Sequence, residues 1–200
     1  MDALLTSFIL LWAVIDPIGT VPIFIAVTRG LSPTEKKAIA LKAALVAAGI
    51  LLFFIVVGEI LLRAMGVPLL AFQITGGCVL FLFALTMIFG ESKPEGEMKS
   101  IEDSMEKAIF PLAIPSIASP GAIMAVVLLT DNSQSSIPQQ AIIVMITALV
   151  IITTYALMRG AGIISKIIGK SGAIIVSKVM GLILASIAAT QMLEGLKAYF

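Results

Sequence analysis

Apolar residues in this chain run in long blocks separated by short polar turns, instead of alternating with polar residues at the period of a half-buried strand or helix. A membrane span needs about 20 apolar residues. Six blocks meet that length or come close to it, at 3–28, 39–62, 69–89, 109–130, 141–158 and 173–193. Little lies between them, so the pattern predicts a single membrane domain over 1–200 with no separate soluble unit. Composition agrees: of 200 residues, 60% are hydrophobic and 12% charged, and the mean hydropathy is +1.13. A soluble domain of ordinary composition is excluded. The expected class is all-α, a polytopic membrane protein with six transmembrane helices.

Two blocks carry helix-stopping chemistry at their centres. In LWAVIDPIGTVPIFIAVT, residues 11–28, Asp16-Pro17 reads as an N-cap followed by proline at the first helical position. In PLAIPSIASPGAIMAVVLLT, residues 111–130, Ser119-Pro120 reads the same way. Proline lacks the N–H a continuous helix needs, and it biases the residue before it away from helical φ/ψ. Such a break is tolerated in hydrocarbon only where it is buried in protein or lines a cavity. The first and fourth helices are therefore expected to be broken near the midplane, the arrangement that marks binding sites in secondary transporters.

Basic residues alternate from side to side. One set of loops and ends holds Arg63 and Lys197; the other holds Arg29, Lys36, Lys37, Lys42, Lys93, Lys99, Lys107, Arg159, Lys166, Lys170 and Lys178, which completes the 13. By the positive-inside rule the second set is cytoplasmic and both termini face outward. The amino-terminal block carries Asp2 where a cleaved signal would be positive, so it reads as a retained span. The stretch 91–108 reads as a cytoplasmic linker with a short surface helix from Ser100, and Asp131 to Ser136 as a polar outer loop.

The third and sixth blocks align without gaps. Gly77 matches Gly181, Ala84 matches Ala188 and Thr86 matches Thr190, 104 positions apart, while Pro17 and Pro120 are 103 apart. This predicts two three-helix repeats, 1–90 and 109–200. An odd number of spans per repeat gives them inverted topology.

The ends of the two half-helices carry the candidate chemistry. A helix N-terminus offers free N–H groups and roughly half a positive charge to an anionic group. Gly19 and Gly121 let a ligand approach the backbone, and Thr20 and Ser116 add hydroxyls. Asp16 makes one end negative and Ser119 leaves the other neutral, which suits a small zwitterion or, at Asp16, a proton or cation. Asp16, Pro17, Gly19, Thr20, Ser116, Ser119, Pro120 and Gly121 are thus candidate substrate-binding residues. Gln73 and Thr75, on the third block, are further candidates. Glu59 is a candidate coupling-ion site, against the plainer reading of an i,i+4 pair with Arg63 at the outer interface. The threonines of the fifth block, Thr147, Thr153 and Thr154, are expected to bond back to their own carbonyls. Cys78, the single cysteine, permits no intrachain disulfide and is read as packing. With no histidine, no metal-ligand cluster and no base beside a serine, an enzyme is not expected, nor a cofactor, a metal or a nucleic-acid partner.

At DPIGTVPIF, PLAIPSIASPGAI and MGLILASIAATQM the chain resembles the MarC family of bacterial and archaeal inner-membrane proteins, grouped with small neutral amino acid transporters, along essentially its full length. The resemblance implies six spans and movement of small neutral amino acids such as glycine and alanine, driven by an ion gradient. A more distant similarity is to LysE-like and CcdA/DsbD-like membrane carriers. The latter hold a cysteine in each broken-helix motif, where this chain has Asp16-Pro17-Ile18-Gly19 and Ser119-Pro120-Gly121, which excludes thiol–disulfide chemistry. Thr20 and Ala118-Ser119-Pro120 depart from the commonest MarC pattern, which has Asn after the first DPxG and Ala-Gly-Pro in the second motif. The expected function is a secondary carrier that rocks one three-helix half against the other. A passive channel or exporter for another small solute, and a substrate-free membrane scaffold or regulator, are the alternatives.

Overall fold

The computed structural model describes residues 2–89, 106, 108–131, 136–163 and 169–200, all helix or short turn. In chain order the helices are α1 (Asp2–Ile15), α2 (Pro17–Val27), α3 (Pro33–Ala64), α4 (Leu69–Phe89), α5 (Ala108–Ile117), α6 (Pro120–Leu129), α7 (Ile137–Arg159) and α8 (Gly169–Tyr199). Five stretches are long and apolar enough to cross a membrane, and the bent pair α5–α6 makes a sixth. Five of the six predicted spans are matched by single stretches, and the count reaches six when the bent pair is taken as one span; α3, α7 and α8 extend beyond the apolar blocks. The linker, apart from Glu106 and Ala108, and the loop residues 132–135 lie outside the described residues.

Local chemistry explains the boundaries. Ser32 caps α3 through the Glu35 N–H while the Glu35 carboxylate accepts from the Ser32 N–H, a capping box with Pro33 at the first helical position. Within α5 the backbone is extended at Phe110 (φ −121°, ψ 126°) and Ile114 (φ −127°, ψ 129°). Both precede prolines, Pro111 and Pro115, whose rings disfavour helical φ/ψ in the residue before them. The fourth span is therefore interrupted three times, not only at Ser119-Pro120, and α5 and α6 meet at 52°. The first span is interrupted at Asp16 alone, and Leu4–Val27 still runs as one stretch of 24 residues.

Packing is almost entirely between the sequence halves. α4 lies on α8 and α3 on α7; α3 also meets α5 and α6, while α7 meets α1 and α2. α1 packs on α6 and α2 on α5. Exchanging each helix for its counterpart in the other half turns nearly every one of these pairings into another on the same list. Among the described elements, the one substantial pairing within a half is α6 on α7, and it is the slightest of all. Among the described residues, each half packs mainly on the other and little on itself, which does not favour one half rocking against the other as a rigid body.

The α4–α8 pair is the closest. A Cβ on Gly77 would lie 2.9 Å from the Ala188 carbonyl oxygen, and one on Gly181 would lie 3.1 Å from the Ala84 carbonyl oxygen. Each glycine meets the residue aligned with the other's neighbour. Gly195 fits against Ile74 in the same pair. The residue numbers rise along one helix as they fall along the other, so the two run antiparallel. Small residues let membrane helices approach to backbone contact, where dispersion replaces the hydrophobic effect as the source of association.

Candidate functional site

Both breaks lie inside the core. Asp16 is 2% exposed and Ser119 0%. Asp16 takes a left-handed conformation (φ 48°, ψ 67°), and its Oδ1 accepts from the Gly19 N–H at 2.9 Å. Aspartate is one of few residues that tolerate this region, because its short side chain can bond locally. Ser119 is extended (φ −69°, ψ 157°), the usual N-cap geometry, and its Oγ accepts from the Ala122 N–H at 3.0 Å. In each half-helix proline removes the first N–H and the cap takes the third. The second, at Ile18 or Gly121, is the first-turn donor that neither consumes. Pro22 likewise supplies no N–H to the Ile18 carbonyl.

The two breaks touch. The Ser119 hydroxyl donates to the Val14 carbonyl at 3.2 Å, joining the second break to the turn before the first. Thr20 and Ser116 share a hydroxyl–hydroxyl bond of 3.0 Å across 96 residues, and Thr20 Oγ1 also lies 3.0 Å from the Asp16 carbonyl oxygen. Thr20 and Ser116 are at most 1% exposed. Asp16, Pro17, Gly19, Thr20, Ser116, Ser119, Pro120 and Gly121 are thereby brought into one region by these contacts and by chain adjacency. Leu80 of α4 covers it: a Cβ on Gly121 would lie 2.6 Å from Leu80 Cδ2.

The other candidates sit elsewhere. The Gln73 amide donates to Gln191 Oε1 at 3.0 Å, tying α4 to α8. Thr75 bonds back to the Ala71 carbonyl at 2.8 Å and, with Ile74, Leu196 and Tyr199, lines an open hollow of about 270 Å³ at the end of the same pair. Glu59 pairs with Arg63 one turn on, with the arginine side chain 68% exposed and the carboxylate nearly buried. Thr147, Thr153 and Thr154 each bond to the carbonyl four residues back, as expected. Cys78 donates to the Met192 sulfur at 3.4 Å.

Three features were not read from the sequence. Thr28 and Thr130, both buried, close the two half-helices by donating to the carbonyls of Phe24 and Val126 at 2.6 and 2.7 Å. They stand 102 positions apart, an offset that could have flagged them. Asp131, assigned to the polar outer loop, is 3% exposed at the end of α6. Gln191 as the partner of Gln73 had no local signal.

Residues 1–200 match the family described as MarC family integral membrane protein. The chain belongs to the MarC family. It is therefore an integral membrane protein. Among its MarC relatives, the UPF0056 membrane protein YvbG of Bacillus subtilis is 34% identical over 198 residues, covering 96% of this chain and 93% of the relative. The UPF0056 membrane protein MJ1677 of Methanocaldococcus jannaschii is 32% identical over 194 residues, covering 96% and 94%. The UPF0056 inner membrane protein YhgN of Escherichia coli is 28% identical over 199 residues, covering 100% and 98%. No solved structure matches this MarC chain.

Proposed function

We propose that this MarC protein is a secondary transporter of small zwitterionic solutes of the glycine and alanine class. Access alternates around the contact between the two broken helices, in an inner membrane with both termini outside. The observation that carries the reading is the meeting of two capped half-helix N-termini in the core, one beside a carboxylate and one beside a neutral hydroxyl. The Gly121 N–H and the α6 dipole suit a carboxylate. The Asp16 carboxylate and the Ile18 carbonyl suit an ammonium, or a coupling proton or cation. The reciprocal α4–α8 contacts and the exchange-invariant packing support an inverted-topology repeat, the architecture of many alternating-access carriers.

In this reading the bonds Thr20–Ser116 and Ser119–Val14 hold the site closed. A solute entering it exchanges these bonds for its own. The mutual satisfaction of these groups equally suits a substrate-free scaffold, in which no gradient-driven uptake takes place. Proteoliposomes decide between them: labelled glycine or alanine is expected to equilibrate without a gradient and to accumulate when a pH gradient is imposed. Asp16→Asn and Ser119→Ala are expected to lower uptake at least tenfold. Equilibration insensitive to any gradient would make the protein a channel, and no uptake would end the transport reading.

A further inference from the structure

The two halves of the chain are interleaved, which does not favour the halves as the parts that move. The tightness of contact divides the molecule differently. Within α4–α8 a Cβ on either glycine would meet backbone as well as side chain: Gly77 faces the Ala188 carbonyl and the Met192 amide nitrogen beside Met192 Cγ, and Gly181 faces the Ala84 carbonyl beside Met87 Cβ and Ile88 Cγ1. The Gln73–Gln191 bond and the Cys78–Met192 sulfur contact add to them. Backbone cannot yield without separating the helices. The remaining spans form a second unit, in which α1 packs on α6, α2 on α5, and α3 on α5, α6 and α7, with Thr20–Ser116 and Ser119–Val14 as cross-links.

At the two glycines where α4 and α6 meet, the nearest atoms across the boundary are side-chain ends, with no facing backbone as near. The Met124 thioether methyl of α6 lies over Gly76 of α4, and Leu80 Cδ2 of α4 lies against Gly121 at the second break. Methionine is unbranched and fills irregular gaps without fixing a register.

We propose that α4 and α8, one from each half, move as one body over the unit made of the other spans, and that Leu80 is the side chain that uncovers the second break. This rests on the transport reading for its purpose but not for its geometry. Passing α4–α8 across the breaks exposes the α5–α6 and the α1–α2 junctions in turn, because α4 packs on α6 while α8 packs on α1 and α2.

Two disulfides test it by uptake of labelled glycine. Met192→Cys beside the native Cys78 is designed to link α4 to α8, where the Cys78 sulfur lies 3.4 Å from the Met192 sulfur, one bond beyond the position of the introduced thiol; loss of free thiol confirms the link before uptake is read. Gly76→Cys with Met124→Cys, in a Cys78→Ala background, links α4 to α6, where Cβ atoms would stand 4.0 Å apart, within the usual disulfide range of about 3.5–4.5 Å. The first link is expected to leave uptake within twofold of the reduced protein. The second is expected to lower it at least tenfold, with recovery on reduction. Loss of uptake on closing the first link, which also ties the two halves together, would overturn the proposal and leave the transport reading standing.

Pulsed electron–electron distances in nanodiscs, with and without glycine, read the motion when uptake does not. Spin labels go on the exposed positions Leu82 of α4, Leu182 of α8, Leu45 of α3 and Leu149 of α7. The Leu82–Leu149 distance is expected to take two values, while Leu82–Leu182 and Leu45–Leu149 keep one each. Two values with no glycine uptake sustain the moving pair and remove the substrate assignment. One unchanged value for every pair, or two for Leu82–Leu182 or Leu45–Leu149, overturns the proposal.

Discussion

Asp16 does three things at once, and three substitutions separate them. It caps α2, it holds a left-handed φ of 48°, and it places a carboxylate in the core at 2% exposure. Asparagine keeps the acceptor oxygen and the tolerance for that conformation, and removes only the charge. Glycine loses the cap, worth about 1 kcal/mol, but adopts φ 48° without strain, so the two changes nearly cancel. Alanine loses the cap and leaves a Cβ in the left-handed region, which costs roughly 1–2 kcal/mol more. The expected order of stability is Asn and Gly close to the native protein, with Ala lower by about 2–3 kcal/mol, the sum of those two losses. At the scale for a chain of this length that is a fall in melting temperature of roughly 4–12 °C. The chain has one tryptophan, Trp12, whose carbonyl accepts the Asp16 N–H at 3.0 Å. Its fluorescence during thermal unfolding in detergent reads the change at the site itself. Uptake in proteoliposomes then isolates the charge: Asp16→Asn should fold like the native protein and transport at least tenfold less. An alanine variant as stable as the asparagine variant would refute the local-geometry argument. Native uptake by Asp16→Asn would reduce the carboxylate to a cap.

Further outcomes follow from the packing. Gly77→Ala and Gly181→Ala push a methyl to 2.9 and 3.1 Å from facing carbonyl oxygens, so each should cost about 1–3 kcal/mol. Gly49→Ala, with nothing within 4 Å, should gain up to about 1 kcal/mol in the same unfolding assay. Equal effects at all three positions would count against the α4–α8 contact. Thr20→Val removes its bonds to Ser116 and to the Asp16 carbonyl, and Ser116→Ala removes the first, at roughly 1 kcal/mol per bond. A double-mutant cycle should return a coupling of about 0.5–1.5 kcal/mol, and a coupling near zero would place the two hydroxyls out of contact. Glu59→Gln should change stability by less than about 1 kcal/mol, since its partner Arg63 is largely exposed, and should leave uptake and its response to a pH gradient unchanged. Loss of that response would make Glu59 the coupling site instead of Asp16.

What could be read from the chain alone is what depends on neighbours within one or two helical turns. Long apolar blocks specify spans because lipid offers the backbone no hydrogen bonds. Asp16-Pro17 and Ser119-Pro120 specify breaks because proline, cap and first turn are covalently adjacent. The same rule applies at Phe110 and Ile114, each before a proline, so the two further breaks of the fourth span are also local in origin. The glycine matches at an offset of 104 pointed to a repeat, while nothing in them said that Gly77 would face Ala188 and Gly181 would face Ala84. Only the tertiary structure decided that, together with the pairing of Thr20 with Ser116, of Ser119 with Val14 and of Gln73 with Gln191, and the burial of Asp131. Every span is apolar on all sides, so no amphipathic stripe marks which face meets which helix. The choice falls to the shape of small residues and to a few hydroxyls and amides some 100 positions apart, whose partners exist only once the halves have interleaved.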